Sequence, residues 1–203
     1  MLILALIAAA SLKVDADAGN NKFDATFDAP LGEKIVATSS AVACDLNLEN
    51  GSVAGACSVP LESVMVDNEK TKTEHFQQWA TNKKSDPKKC ALEAKFEGLR
   101  LDGPLSTTPA KFSGEAAFKV CGKSRTDGGK ETLEGTAVQL PNGNVRVRAR
   151  VDKFSRDQYK VGPKYTDGWL SRVQQLAPVV AEEGTVEISM FAKPVGNSSA
   201  SKQ

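Results

Sequence analysis

Apolar residues recur at every second position through most of this chain. Val145, Val147, Ala149 and Val151 alternate with Arg146, Arg148 and Arg150. Phe112, Gly114, Ala116, Phe118 and Val120 alternate with Lys111, Ser113, Glu115 and Lys119. A period of two marks strands with one buried face, unlike the continuous apolar runs of a parallel sheet. Eight strands are expected, at 22–28, 34–49, 52–64, 89–100, 111–121, 131–140, 144–154 and 185–193. Two segments break the alternation. Residues 67–80 read as a polar helix anchored by Phe76 and Trp79 at i, i+3. Residues 169–180 place Trp169, Leu170, Val173, Leu176, Ala177 and Val180 at helical spacing, with Asp167 as N-cap and Pro178 as terminator.

Turn chemistry sets two registers. Asn50-Gly51 is a two-residue type I′ signal. With Glu49 facing Ser52, Leu48 falls opposite Val53, Leu46 opposite Gly55, Cys44 opposite Cys57 and Val42 opposite Val59, all on one face. Asp45, Asn47, Glu49, Ser52 and Ala54 take the other. Cys44 and Cys57 meet at a non-hydrogen-bonded site, where Cα atoms lie roughly 4.5 Å apart, within disulfide reach. Asn142-Gly143 likewise sets Leu140 opposite Val145 and Val138 opposite Val147, with Gln139 against Arg146 and Ala137 against Arg148. Pro141 is expected to loosen this turn into a four-residue loop without changing the register. Cys90 and Cys121 pair by elimination. Direct opposition would put Leu92 across from Lys119 and Phe96 across from Glu115, so a bulge near Gly122 or a strand starting after Cys90 is required. Two unpaired buried thiols are the alternative.

The chain's 203 residues suit one domain. Hydrophobic residues at 40% and charged residues at 25% are ordinary for a globule, and a net charge of +1 gives no case for nucleic acid. The apolar run from Leu2 to Ala10 is too short to span a bilayer, so no stable membrane insertion is expected. It resembles the core of a secretory leader, with Ala16-Asp17-Ala18 as a small-x-small cleavage site before Gly19, although the usual positive flank is missing. This divides the chain into a leader at 1–18, a domain at 19–193 and a disordered tail at 194–203. The alternative for the apolar run is a buried N-terminal strand. An exported chain with four cysteines is consistent with two structural disulfides and a periplasmic or secreted location.

No catalytic group stands out. The one histidine, His75, sits on the polar helix, and its neighbours Thr73 and Glu74 form no motif. No cluster has metal-ligand spacing, and the carboxylates are scattered over solvent faces. Asp127-Gly128-Gly129 is a turn, not a phosphate loop. Arg146, Arg148 and Arg150 read as an exposed strand face before they read as an anion grip. What remains is the apolar face. Eight amphipathic antiparallel strands can close into a barrel whose interior holds one ligand. Small inward residues, Gly55, Ala94, Gly114, Ala116 and Ala149, leave room there.

Five segments follow one another along the chain: VAGACSVPLESVMVDNEKTKTEHFQQW with Asn68 and His75-Phe76, SDPKKCALEAKFEGL with Pro87 and Phe96, VCGKSR, FSRDQYKVG with Arg156 and Tyr159, and GTVEISMFA. In this order they resemble the YceI-like family, the bacterial exported polyisoprenoid-binding domain. The likeness spans residues 22–192. The four cysteines and the extra residue before Gly162 depart from the family pattern. The resemblance implies a lipocalin-like barrel whose lumen takes a polyisoprenoid or quinone-type lipid. Its lining would be Leu46, Leu48, Val53, Leu92, Phe96, Phe112, Phe118, Val147 and Val151, with Phe76 and Trp79 closing one end. No other cofactor and no metal is expected, and a homodimer stays open. The competing reading is a non-enzymatic interaction barrel with a filled core; an enzyme is the least favoured class.

Overall fold

Asn50 and Gly51 both adopt positive φ, 51° and 73°, as a type I′ turn demands. Strands β4 (Ala43–Glu49) and β5 (Ser52–Pro60) therefore pair as expected, with Cys44 opposite Cys57, Leu46 opposite Gly55 and Leu48 opposite Val53. In this computed structural model, which describes residues 10–18, 20–162 and 180–195, that hairpin is one section of a closed antiparallel barrel.

Around the barrel follow β7 (Ala91–Leu101), β8 (Ala110–Val120), β9 (Glu131–Gln139), β10 (Val145–Ser155) and β11 (Glu183–Pro194). Two of the eight staves are split. β1 (Ala10–Val14) and β2 (Lys22–Asp28) run end to end along β11, and β3 (Lys34–Ser39) continues into β4 beside them. Buried Asn21 stitches the break: its amide nitrogen donates to the Asp15 and Val42 carbonyls at 2.8 and 3.4 Å, and its oxygen accepts from the Phe191 N–H at 3.1 Å. The two-residue β6 (Met65–Val66) adds to the outer edge of β3, and helix α1 (Lys70–Thr81) packs beside it.

β1 was not among the expected strands. Its Leu12 and Val14 are 6% and 1% exposed, and it pairs with β4 on one side and β11 on the other. A chain beginning at Gly19 would lack it. The expected helix at 169–180 lies outside the described residues but for Val180, and the expected tail lies outside them but for Pro194, which ends β11, and Val195.

The second hairpin differs from expectation by one residue. Val147 faces Ala137, not Val138, and Val145 faces Gln139, not Leu140; Arg146 faces Val138 and Arg148 faces Thr136. Pro141 explains the slip. Its fixed φ suits the second position of a type I turn, which the Gly143 N–H closes onto the Leu140 carbonyl at 2.9 Å. Gly143 then takes positive φ and the loop has three residues, moving the whole ladder by one.

Cys90 and Cys121 are bonded, with Cα atoms 4.8 Å apart. The β7–β8 register sets Leu92 against Val120 and Phe96 against Ala116, so neither face is mixed. Cys90 precedes the strand, and Cys121 and Gly122 turn at positive φ, which supplies the bulge the pairing needs. A second bulge at Gly98 (φ 152°) changes the phase of β7, so that Leu99 and Leu101 follow Phe96 into the barrel.

Candidate functional site

The barrel interior divides along its axis. One half, at the end where short hairpins join the strands, contains a cavity; in the other half, where the long connections lie, the described side chains are packed together.

Every side chain that lines the cavity is apolar. Leu46 and Leu48 come from β4, Val53 and Cys57 from β5, and Ala94, Phe96, Leu99 and Leu101 from β7. Phe112 and Phe118 come from β8, and Val145, Val147 and Ala149 from β10. These are the inward positions of each strand, and alternation puts them there. The volume is about 60 Å³. That is room for roughly four to six water-sized spheres, so a long chain fits only as lining side chains move.

Small residues open less space than their number suggests. A Cβ on Gly55 would lie 2.3 Å from the Asp45 carbonyl oxygen, with Leu46 folded over the same spot. A Cβ on Gly135 would meet the Phe112 ring at 2.4 Å. Neighbouring large side chains lie where these glycines lack one, and the small residues that border the cavity itself are alanines: Ala94, Ala137 and Ala149.

Of the residues named from the sequence, Leu46, Leu48, Val53, Phe96, Phe112, Phe118 and Val147 line the cavity. Leu92 and Val151 also face inward but lie in the filled half. Phe76 and Trp79 sit on α1, half-buried against the core near the filled end. Sequence reasoning passed over Leu12, Leu99, Leu101, Leu105, Leu133, Ala137, Val145, Ile188 and Met190, which also line it. Alternation in the strands around 133 and 188 could have found Leu133, Ala137, Ile188 and Met190. The Gly98 bulge hid Leu99 and Leu101.

The filled half is closed by rings and a polar cluster. Tyr159, fully buried, stacks on Phe154 at 4.8 Å between centroids, and Phe154 meets Phe118 edge-on at 5.8 Å. The Tyr159 hydroxyl donates to Glu131 Oε1 at 2.8 Å, and the Arg125 guanidinium donates to the same oxygen at 2.7 Å. Arg125 also forks onto both oxygens of Asp127, at 2.9 and 2.6 Å. Burial, then the hydrogen bond to Glu131, pushes the Tyr159 phenol above its usual range. The Arg125 fork and the Gly129 N–H hold Asp127 below the usual carboxylate range. Burial, with Lys160 nearby, pushes the Lys123 ammonium down to about 8. Thr126 ties the 121–130 turn to the 156–160 turn: its N–H donates to the Gln158 carbonyl at 3.0 Å. Each polar group in this cluster is engaged with its neighbours, so the cluster holds loops together.

His75 is exposed on α1 and stacks on Trp79 at 6.3 Å. Among the described residues, no group of His, Cys, Asp or Glu could hold a metal ion. Arg146 lies over the outer face of the Phe191 ring, and Arg150 pairs with Asp152 and Glu187. No described helix is long and apolar enough to cross a membrane.

No family model matches the chain, and no curated protein matches it. Among solved structures, it is similar to a polyisoprenoid binding domain from Saccharophagus degradans implicated in plant cell wall breakdown. The TM-score is 0.64 at 10% identity, over 93% of this chain and 100% of that one. At that identity the likeness is one of fold.

Proposed function

We propose that this protein binds a long apolar lipid, of the polyisoprenoid or isoprenoid-quinone class, in the barrel lumen, and performs no chemistry on it. The observation that carries this reading is the cavity wall, apolar at every lining residue. A chain insoluble in water gains about 0.8 kcal/mol for each methylene it buries, so such a wall suffices to hold one. A wall without polar groups gives no means to orient a reacting bond, which fits a carrier or sequestering protein better than an enzyme. The shared fold with a polyisoprenoid binding domain supports the ligand class.

Two disulfides, Cys44–Cys57 and Cys90–Cys121, support a site of action outside the cytoplasm. In this reading the working protein keeps residues from Ala10 onward, because β1 is part of the barrel.

Native mass spectrometry of protein purified from its own host, followed by organic extraction, tests the binding. A bound isoprenoid lipid is the expected result, and uptake of added polyprenol should fall at least tenfold in Ala149→Leu, which fills the cavity. No lipid recovered and no uptake by the unaltered protein would sink the reading. The small cavity volume favours a second reading, a packed barrel that meets a protein partner through its outer face; that outcome is what the negative result would leave.

A further inference from the structure

We infer that the lumen has a single portal, at the hairpin end beneath residues 102–109, so that a lipid threads in chain-first past Leu105 and leaves its polar head at that rim. The inference rests on the lipid-binding reading and adds to it a direction and a gate.

The first argument is where the cavity reaches. Leu48 and Val53 flank the Asn50-Gly51 turn, and both line it. So do Leu101 and Val145, at the same end of β7 and β10. No residue of the Phe154–Tyr159 stack lines it, and neither does Glu131. At the far end the described residues are packed rings and a saturated polar cluster. A head group arriving there would meet Glu131 already holding the Tyr159 hydroxyl and Arg125, whose guanidinium also forks onto Asp127. To pass it, a lipid would have to strip buried hydrogen bonds from charged partners.

The second argument is how differently the two ends are fastened. Residues 102–109, which join β7 to β8, fold across the hairpin end and insert Leu105 into the cavity wall. The base of this loop is clamped. The Asp102 N–H donates to the Lys111 carbonyl at 2.9 Å, and the Lys111 N–H donates to the Asp102 carboxylate at 2.7 Å. Its tip is self-braced, the Thr108 N–H donating to the Ser106 hydroxyl at 3.2 Å. The tie from this tip to the neighbouring wall is one backbone hydrogen bond, from the Gln139 N–H to the Ser106 carbonyl at 2.7 Å. A rigid flap hinged at Asp102 and Lys111, latched at Ser106 and plugged by Leu105, opens by breaking that bond and withdrawing one leucine. It exposes little when it does, because Pro104, Thr107, Thr108 and Pro109 are already in water.

Two experiments together test this. A polyprenyl probe with a photoreactive benzophenone at its head is cross-linked to the unaltered protein, and the adducts are mapped by peptide mass spectrometry. Adducts at 102–109 and 140–144 are expected. Adducts at 121–130 or 156–161 overturn the inference while leaving lipid binding intact, and failure to bind the probe at all counts against the lipid reading itself. In the second experiment, Ser106→Cys and Gln139→Cys are combined to fasten the latch, with the new bond verified by mass. Stopped-flow uptake of a fluorescent polyprenol should then slow at least tenfold. It should recover on reduction, under conditions in which the unaltered protein keeps its rate. Uptake at the unaltered rate in the latched protein overturns the gate.

Discussion

The two halves of this barrel are built from the same strands and solve opposite problems. On β9, Leu133 and Ala137 face a cavity with apolar walls, while Glu131, two residues away on the same inward face, is locked between Arg125 and Tyr159. On β10, Val147 and Ala149 border empty space, while Phe154 stacks on Tyr159 and meets Phe118 edge-on. The lumen half gives up close packing to leave room, and the missing contacts cost stability. The filled half supplies specific geometry through a buried charge pair, which is valuable only while both partners are present. One end is pinned by directed hydrogen bonds and stacked rings, and the other is held by apolar packing around a void.

The largest effect should come from removing the strand that walls the lumen half. A chain beginning at Gly19 loses β1, with Leu12 and Val14, whose burial alone is worth about 3 to 6 kcal/mol. Urea unfolding should show a collapse in midpoint, and N-terminal sequencing of the protein purified from its own host should find β1 retained. Next is Glu131→Ala, which strands Arg125 and the Tyr159 hydroxyl; a loss of about 4 kcal/mol is expected. Its neighbour Leu133→Ala should cost only about 2 kcal/mol, because the space beside it is already open. Equal losses at 131 and 133 would break the contrast between the halves.

The disulfides sharpen it further. Cys44 and Cys57 are buried at 3% and 7% exposure, whereas Cys90 and Cys121 are half-exposed. A mild dithiol should open Cys90–Cys121 first, as alkylation and mass spectrometry would show, with a loss of about 3 to 4 kcal/mol for its 31-residue separation. The smallest effect is at high pH and belongs to the filled half alone. The folded pKa of Tyr159 is raised, so its contribution is complete below about 10 and is lost as pH rises beyond that value. Tyr159→Phe should flatten the alkaline limb of the stability curve, and a limb unchanged by that substitution would place its origin elsewhere.

Much of this barrel is legible in the chain because strand alternation is local. All eight expected strands lie in the staves of the barrel, and the Asn50-Gly51 hairpin has the register its turn type requires. The misreadings have physical causes. Pro141 drew the second hairpin into a three-residue loop, which one turn rule applied alone does not foresee. The apolar residues before Lys13 fit a leader as well as a strand, and residues 10–14 found partners on β4 and β11 that no local pattern announces. Within the site, seven lining residues were legible from alternation and family resemblance together. Leu105 was not, because a lone leucine in the loop GPLSTTP has no period to betray it. The Arg125–Glu131–Tyr159 cluster escaped for a related reason. Its members lie in a turn, a strand and a second turn, and each looks like a surface residue on its own.

β6 has a consequence of its own. Among the described residues it is the strand that ends the hydrogen-bonded series beyond β3, and it is two residues long. Closure of the barrel removes the other edges, and so short an edge offers almost no ladder for a foreign strand to join. A chain this rich in amphipathic strands is a natural substrate for aggregation while it is unfolded. Once closed, it leaves little edge for a foreign strand to extend, so the hazard of pairing with other chains is confined to the time before closure.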